Sequence, residues 1–147
     1  MLLKKINNFI TNDKFLLFII FLVLFFINKN YANFGAFPID TFLHFDSGFR
    51  ILNGEFPIKD FWIVSGIVVD YLEALFFYLL GVSWKTHVIH SSLVNGIITL
   101  ATYAVLRSFK LKKIYSFLYS LFFGILAYPP SGTPFVDHHA AFFALLG

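Results

Sequence analysis

The sequence predicts an all-α protein whose helices cross a membrane several times, and three observations lead to this fold class. Of the 147 residues, 59% are hydrophobic and 13% are charged, unlike an average soluble domain. Apolar segments that approach the thickness of a bilayer recur along the chain. Basic residues gather between them, as they do on the cytoplasmic side of membrane proteins. No basic patch alternates with exposed polar residues, so a membrane is an expected partner and nucleic acid is not.

The first predicted span covers about residues 13–31. Its centre, Phe15 to Ile27, has no polar side chain and reaches the roughly 20 residues of a span only with its flanks. Lysines precede it as in a signal peptide, but no small-residue cleavage site follows, so we expect an uncleaved anchor. Lys4, Lys5 and Lys14 predict that the N-terminus is cytoplasmic.

Two further spans are predicted at about 86–106 and 114–128, and a fourth begins at 139. The turn between the second and third spans is basic, so it is expected on the cytoplasmic side with the N-terminus. The sequence ends inside an apolar run that is too short to span a bilayer. We therefore expect residues 1–147 to form a single transmembrane domain at the N-terminus of a longer protein, with a truncated gene as the alternative.

The segment 66–80 is apolar but carries Asp70 and Glu73 one helical turn apart. If it spanned the membrane, the basic turn after the second span would face outward, against the positive-inside rule. We therefore expect an interfacial amphipathic helix, which leaves outer loops at 32–85 and 129–138. The two acids are expected opposite its lipid-facing stripe. That stripe comprises Val68, Val69, Leu72, Leu75, Phe76 and Leu79.

The first outer loop contains another amphipathic segment, between Asp40 as a candidate N-cap and Asn53. Asp46 and Arg50 lie four residues apart on its polar face, and their pairing would keep Asp46 ionised near neutral pH. An ionised carboxylate at a membrane surface can accept a proton from a hydroxyl or amine nucleophile. The alternative is an ordinary surface ion pair. Lys59 either binds a phosphate as a point charge or extends to the headgroups as an anchor.

The second outer loop, 129–138, brings another acid to the same predicted side. Asp137 either favours the dipole of the helix that follows or serves as a site residue or metal ligand. His138 and His139 are adjacent, so on a helix they point about 100° apart and make a poor pair of ligands. Cysteine is absent, which excludes thiolate catalysis and cysteine-ligated metal. The ligand spacing does not support a divalent metal, and the cofactor is left open.

Polar residues recur every four positions along the predicted span 86–106. They are His87, Ser91, Asn95 and Thr99. Small and hydroxyl-bearing residues at such spacing let membrane helices approach closely and hydrogen-bond to one another. A proton path through His87, His90 and Asn95 is the alternative interpretation. No carboxylate lies in these spans, so helix packing is favoured.

The turn from Gly54 to Phe61 reads Gly-Glu-Phe-Pro-Ile-Lys-Asp-Phe. It follows the loop that carries Asp46 and precedes an amphipathic helix that ends in Leu79-Leu80-Gly81, after which come two spans joined by a basic turn. This arrangement resembles the N-terminal portion of GT-C fold glycosyltransferases, specifically the protein O-mannosyltransferase and aminoarabinose-transferase-like group. The resemblance runs from about Phe15 onward and implies a polytopic enzyme of the bacterial inner membrane.

The resemblance implies transfer of a sugar from a polyprenyl-phosphate carrier to a lipid, protein or glycan acceptor on the outer membrane face. Asp46 and Asp137 match the family's acids in the two outer loops and are the predicted catalytic residues. Arg50, Lys59 and His138 are the predicted substrate-binding residues. The implied reaction is an inverting transfer in which Asp46 deprotonates the acceptor and basic side chains stabilise the departing phosphate.

Two positions depart from the family pattern. Ser47 stands where some protein mannosyltransferases have a second acid, and Ser65 stands where aminoarabinose transferases often have a lysine. The alternative function, from a different class, is a non-catalytic multi-span membrane protein, either a structural subunit or part of a transporter. In that case the Asp46–Arg50 pair and Asp137 serve as interfacial ion pair and helix cap.

Overall fold

The computed structural model describes residues 12–34, 38–63, 66–127 and 132–146. Within these ranges the chain forms six α-helices and no strand, which confirms the all-α class. The helices are α1 (Asp13–Tyr31), α2 (Pro38–Leu52), α3 (Ile67–Leu80), α4 (Trp84–Ser108), α5 (Lys113–Ala127) and α6 (Val136–Leu146). Some sequence predictions rest on Lys4, Lys5, Ser65 and positions 129–131, which lie outside the described residues.

Two of these helices, α1 and α4, are long and apolar enough to cross a membrane, and α5 is apolar but only 15 residues long. The three helices overlap the segments 13–31, 86–106 and 114–128 that the sequence predicts as spans, and the first two meet the length of a span. α6 begins at Val136, three residues before the predicted start of the fourth span. Asp137 and His138 are therefore helical, in a first turn where an acid interacts favourably with the helix dipole.

α1, α4 and α5 pack against one another as a three-helix bundle. Two glycines allow the close approach. A Cβ at Gly96 would lie 2.6 Å from the Phe21 ring, and a Cβ at Gly124 would lie 2.5 Å from Thr99 Oγ1. The Asn95 side chain also donates a hydrogen bond to the Gly124 carbonyl (3.1 Å). Asn95 and Thr99, two of the four polar residues for which packing was favoured, therefore lie at the contact between α4 and α5.

The two ends of the bundle define the helix directions. At one end Asp13, which begins α1, accepts a hydrogen bond from Tyr103 late in α4 (2.6 Å) and pairs with Lys113 at the start of α5 (3.1 Å). At the other end Asn28, late in α1, donates to Ser91 early in α4 (3.1 Å). α1 and α5 therefore run parallel, and α4 runs antiparallel to both.

α2 and α3 pack against each other, and α3 also lies against α4. Its exposed face is apolar, with Val68, Leu75 and Leu79 each about half exposed or more. The buried residues of α3 are Val69, Asp70, Glu73, Ala74 and Phe77. Val69 therefore belongs to the face of the two acids and not to the predicted lipid-facing stripe. The prediction was wrong at this position because residues 69 and 73, four apart, share one face of a helix.

Candidate functional site

Arg50 joins two acids on the exposed side of α2. Its Nε donates to Asp46 Oδ2 (2.7 Å), and its Nη1 donates to Glu55 Oε2 (3.1 Å). The predicted Asp46–Arg50 pair is therefore confirmed, and Glu55 is an additional partner. The Asp46 side chain stays 61% exposed, so it remains accessible from outside. We call Asp46, Arg50 and Glu55 the exposed acid group.

The charge of Arg50 is fixed by these neighbours. Hydrogen bonds to Asp46, and then to Glu55, raise the pKa of Arg50 above its ordinary value. The guanidinium also lies over the Phe61 ring, 5.6 Å from its centroid, in a cation–π arrangement. Arg50 is thus a permanent cation beside the carboxylate of Asp46.

The other predicted site residues occupy separate positions. Lys59 is largely exposed, lies 3.7 Å from Asp60 Oδ1 and extends over the Phe56 ring. Asp137 is exposed and His138 is partly buried in the first turn of α6. Within the described chain, no hydrogen bond or ion pair joins Asp137 to the exposed acid group. The catalytic and substrate-binding roles of these residues stay predictions.

The two predicted outer loops do meet at one end of the bundle. Thr41 in the first turn of α2 and Thr133 before α6 share a hydrogen bond of 2.9 Å between their hydroxyl groups. The Gly132 carbonyl accepts hydrogen bonds from Asn28 (3.3 Å) and from Ser91 (2.8 Å). The end of α1, the start of α2, the start of α4 and the segment before α6 therefore lie together.

A second cluster, which is buried, lies between α3, α4 and α6. Glu73 Oε1 is 2.8 Å from His87 Nδ1, and Glu73 Oε2 is 2.5 Å from His90 Nδ1. His90 Nε2 is 3.1 Å from His139 Nε2, and His139 Nδ1 is 2.9 Å from the Phe135 carbonyl oxygen. All four side chains are at most 1% exposed. We call Glu73, His87, His90 and His139 the buried network.

A histidine–carboxylate pair completes the polar interior. His44 of α2 and Asp70 of α3 are both buried, and His44 Nδ1 lies 2.7 Å from Asp70 Oδ1. Because Asp70 precedes Glu73 by three residues, both carboxylates lie on the same face of α3. That face therefore meets histidines from two different helices.

Local sequence features explain how these groups come together. His87 and His90 are three residues apart, so both point from one face of α4 towards the same carboxylate. α2 can approach Glu73 only because position 48 is a glycine. A Cβ at Gly48 would lie 2.6 Å from Glu73 Cγ. The Phe76 ring stacks on His90 with centroids 4.7 Å apart and covers the network.

The buried carboxylate of Glu73 is stabilised as an anion. Burial alone would raise the pKa of Glu73. The hydrogen bonds from His87 and His90 together lower it by more, so the pKa of Glu73 lies below its ordinary value. Glu73 is therefore ionised near neutral pH. A buried charge is tolerated only when it is paired and hydrogen-bonded, and the two imidazole N–H groups meet that need.

Among the acids of α3 and the histidines that bond to them, two buried atoms have no partner in the described chain. Asp70 Oδ2 and His87 Nε2 are buried and have no hydrogen-bond partner among the described residues. Such atoms lose hydration without compensation, so each is a point where a further donor or proton could be received. In the part of the chain that the structure describes, no three or more His, Asp or Glu side chains are arranged to hold a metal ion. Imidazoles and carboxylates in hydrogen-bonding contact are groups that can exchange protons.

The sequence carries a signal for this cluster that does not by itself predict the contact. Asp70 and Glu73, and then His87 and His90, form two i, i+3 pairs in successive apolar helices. A proton path was disfavoured because no carboxylate lies in the predicted spans. The structure supplies that carboxylate from α3, since Glu73 contacts both histidines of α4.

No protein-family model, curated protein or solved structure matches the chain. The function is therefore inferred from the exposed acid group and the buried network.

Proposed function

We propose that this chain belongs to a membrane glycosyltransferase that moves a sugar from a polyprenyl-phosphate carrier to an acceptor on the outer membrane face. One observation carries the proposal. Asp46 is an exposed carboxylate held by a permanently charged arginine, on the helix whose first turn contacts the segment before α6. A carboxylate beside a fixed cation can take up the acceptor proton and bring positive charge towards the departing phosphate.

The distribution of polarity supports a membrane environment. Large apolar side chains are more than half exposed on several helices, among them Phe26, Leu79, Phe122 and Leu126. Fully buried positions carry Asn28, Glu73, His87, His90 and Asn95. Polar groups inside and apolar groups outside are expected where the surrounding solvent is lipid. We propose that the protein is a multi-pass component of a bacterial inner membrane. The distribution of its basic residues supports a cytoplasmic N-terminus.

The proposed reaction is an inverting displacement at the anomeric carbon of the sugar. The acceptor oxygen or nitrogen forms the new bond while the bond from that carbon to the carrier phosphate breaks. Asp46 receives the acceptor proton, and Arg50 and Lys59 stabilise the phosphate that leaves with the bonding electrons. Asp137 and His138 are proposed to contact the substrate from the start of α6. The carrier lipid, its sugar and the acceptor are the partners of this reaction.

The test is an assay of transfer with isotope-labelled polyprenyl-phosphate sugars, in membranes from cells that express the protein. Asp46→Asn is expected to lower the rate by about 10²–10⁴-fold, the usual contribution of a general base. Asp40→Asn is the matched control, because Asp40 is an exposed acid in the first turn of the same helix. Transfer that is unchanged in Asp46→Asn, at equal protein levels, would reject the catalytic role.

Topology can be tested separately by cysteine labelling, since the chain contains no cysteine. Asn53, Ser83 and Ser108 are exposed positions after α2, before α4 and at the end of α4. A membrane-impermeant maleimide should label cysteines at 53 and 83 in intact cells and leave a cysteine at 108 unlabelled. Labelling at 108 instead of 83 would make α3 a span and contradict the proposed arrangement.

The non-catalytic alternative is favoured by one specific observation. Asp46 and Arg50 form an i, i+4 pair on an exposed helix face, which is an arrangement that stabilises helices without any chemistry. In that case the chain is a structural or transport component. Failure of the unaltered protein to transfer sugar from any polyprenyl-phosphate donor would favour this alternative.

A further inference from the structure

The hydrogen bonds of the buried network fix where several of its protons must lie. A carbonyl oxygen only accepts, so His139 Nδ1 must carry a proton for its 2.9 Å contact with the Phe135 oxygen. The 3.1 Å contact between His90 Nε2 and His139 Nε2 needs one proton on either nitrogen, since two imidazole lone pairs would repel. The 2.5 Å contact between His90 Nδ1 and Glu73 Oε2 needs another.

Counting these protons reveals an excess. The three contacts from Glu73 through His90 and His139 to the Phe135 carbonyl require three protons, but two neutral imidazoles carry only two. The third proton must lie on one imidazole, which makes it an imidazolium opposite an ionised Glu73, or on Glu73 itself. His87 does not change the count, because its own Nδ1 proton fills the 2.8 Å contact with Glu73 Oε1.

We propose that the buried network is a proton-binding site that holds one proton more than its three neutral imidazoles carry, and that this proton moves between His139 and Glu73 through His90. The step balances internally. With the charge on His139, its Nε2 proton passes to His90 Nε2 while the Nδ1 proton of His90 passes to Glu73 Oε2. Two protons shift, one positive charge crosses His90, and every hydrogen bond is made both before and after the step.

The surroundings act on both ends of the network. Burial disfavours a charge on His90 and His139, whereas hydrogen bonds from His87 and His90 favour the charged form of Glu73, so the excess proton is shared along the contacts that join them. Among the described residues, His44 of α2 and His138 of α6 face the site, and Asp70 of α3 lies next to it as the partner of His44. His44 and Asp70 are hydrogen-bonded to each other.

The two ends of the network differ in their access. His139 lines a cleft of about 180 Å³ between α3 and α6, whose other lining residues are glycine and apolar side chains. At the other end, His87 Nε2 is a buried acceptor without a partner in the described chain. The network therefore reaches a cleft through His139, and its other end has a nitrogen, His87 Nε2, that is available as an acceptor. The proposal is independent of the glycosyl transfer proposed above.

The test is nitrogen-15 NMR of histidine-labelled protein in lipid bilayers, which distinguishes imidazolium from the two neutral tautomers. The unaltered protein at neutral pH should show one imidazolium signal, or an exchange-averaged one, from His90 and His139. His44→Phe and His138→Gln identify the signals of the two histidines outside the network. If His90 and His139 are both neutral and Glu73 gives no carboxylic-acid band in the infrared spectrum, the excess proton is absent and the proposal is overturned.

Glu73→Gln is the decisive variant, with Glu55→Gln as its exposed control. A glutamine amide can donate to His90 Nδ1, so all contacts can then be made with neutral imidazoles. The imidazolium signal should vanish, and His90 should change to the tautomer protonated at Nε2. His139→Phe, which keeps a ring beside His90, should also abolish the signal if Glu73→Gln does not fold. An imidazolium signal from the network that persists in either folded variant would overturn the proposal.

Discussion

Replacing Gly48 with alanine tests whether the buried network depends on the close approach of α2 to α3. A Cβ at position 48 would lie 2.6 Å from Glu73 Cγ and 3.3 Å from the Ala74 backbone nitrogen. Ordinary contacts begin at 3.4 Å, so Glu73 and α2 must separate by about 0.8 Å. The carboxylate of Glu73 tolerates little of this movement, because its bonds of 2.5 and 2.8 Å weaken as they lengthen beyond about 3.2 Å.

The expected loss of stability follows from three contributions. Overpacking costs about 1–3 kcal/mol. Weakening one hydrogen bond to a charged group costs about 1.5–3 kcal/mol. Alanine in place of glycine within a helix offsets about 0.8–1.0 kcal/mol. We therefore expect Gly48→Ala to lower the free energy of unfolding by about 2–5 kcal/mol.

The assay is unfolding by SDS in mixed micelles, followed by far-ultraviolet circular dichroism. A double-mutant cycle with Glu73→Ala isolates the contact, because that variant removes the Cγ against which the new Cβ would collide. In the Glu73→Ala background, Gly48→Ala should cost less by about 0.5–3 kcal/mol, the usual range of coupling between touching residues. If Gly48→Ala lowers the free energy of unfolding equally in both backgrounds, the contact between position 48 and Glu73 is not the reason a glycine is needed there.

Three further outcomes are expected in the same unfolding assay. Gly124→Val should destabilise the bundle by about 1–3 kcal/mol, since even a Cβ there collides with Leu24 and Thr99, and a gain in stability would contradict the packing described. Asn28→Leu should cost about 1–3 kcal/mol because it removes the buried amide that donates to Ser91, Ser92 and the Gly132 carbonyl, and a neutral result would show that water replaces the amide. The pKa of Glu73 is lower in the folded protein than in the unfolded chain. Its contribution to the free energy of unfolding should therefore be complete above the unfolded pKa of about 4.3 and should fall as the pH drops through the folded pKa. Glu73→Gln should remove this acid-dependent loss, and an identical loss in the variant would assign it to other groups.

The exposed acid group shows how far local spacing can predict a contact. Asp46 and Arg50 lie four residues apart on one amphipathic helix, so their pairing depends only on helical geometry. Glu55 lies beyond the end of α2 and reaches Arg50 only because the chain turns back there, and the sequence does not specify that turn closely enough. Whether this group performs chemistry stays a prediction that the Asp46→Asn experiment tests.

The buried network shows where local spacing is insufficient. The i, i+3 pairs in α3 and α4 were visible, but two polar faces of apolar helices can turn towards water, headgroups or each other. The choice depends on Gly48, which lets α2 pack over Glu73, and on His139, which is 49 residues from its partner His90. Neither relation has a period or motif that a single sequence can display.

The sequence by itself determined the helical class, the positions of the apolar helices and the Asp46–Arg50 pair, because these follow from composition and from residues within one or two turns. Only the tertiary structure decided that Asp70 and Glu73 point inward, that histidines of α2 and α4 bond to them, and that His139 of α6 joins them through His90. The physical reason is that a buried carboxylate must find donors. Which donors it finds is set by how whole helices pack and not by the residues next to it in the chain.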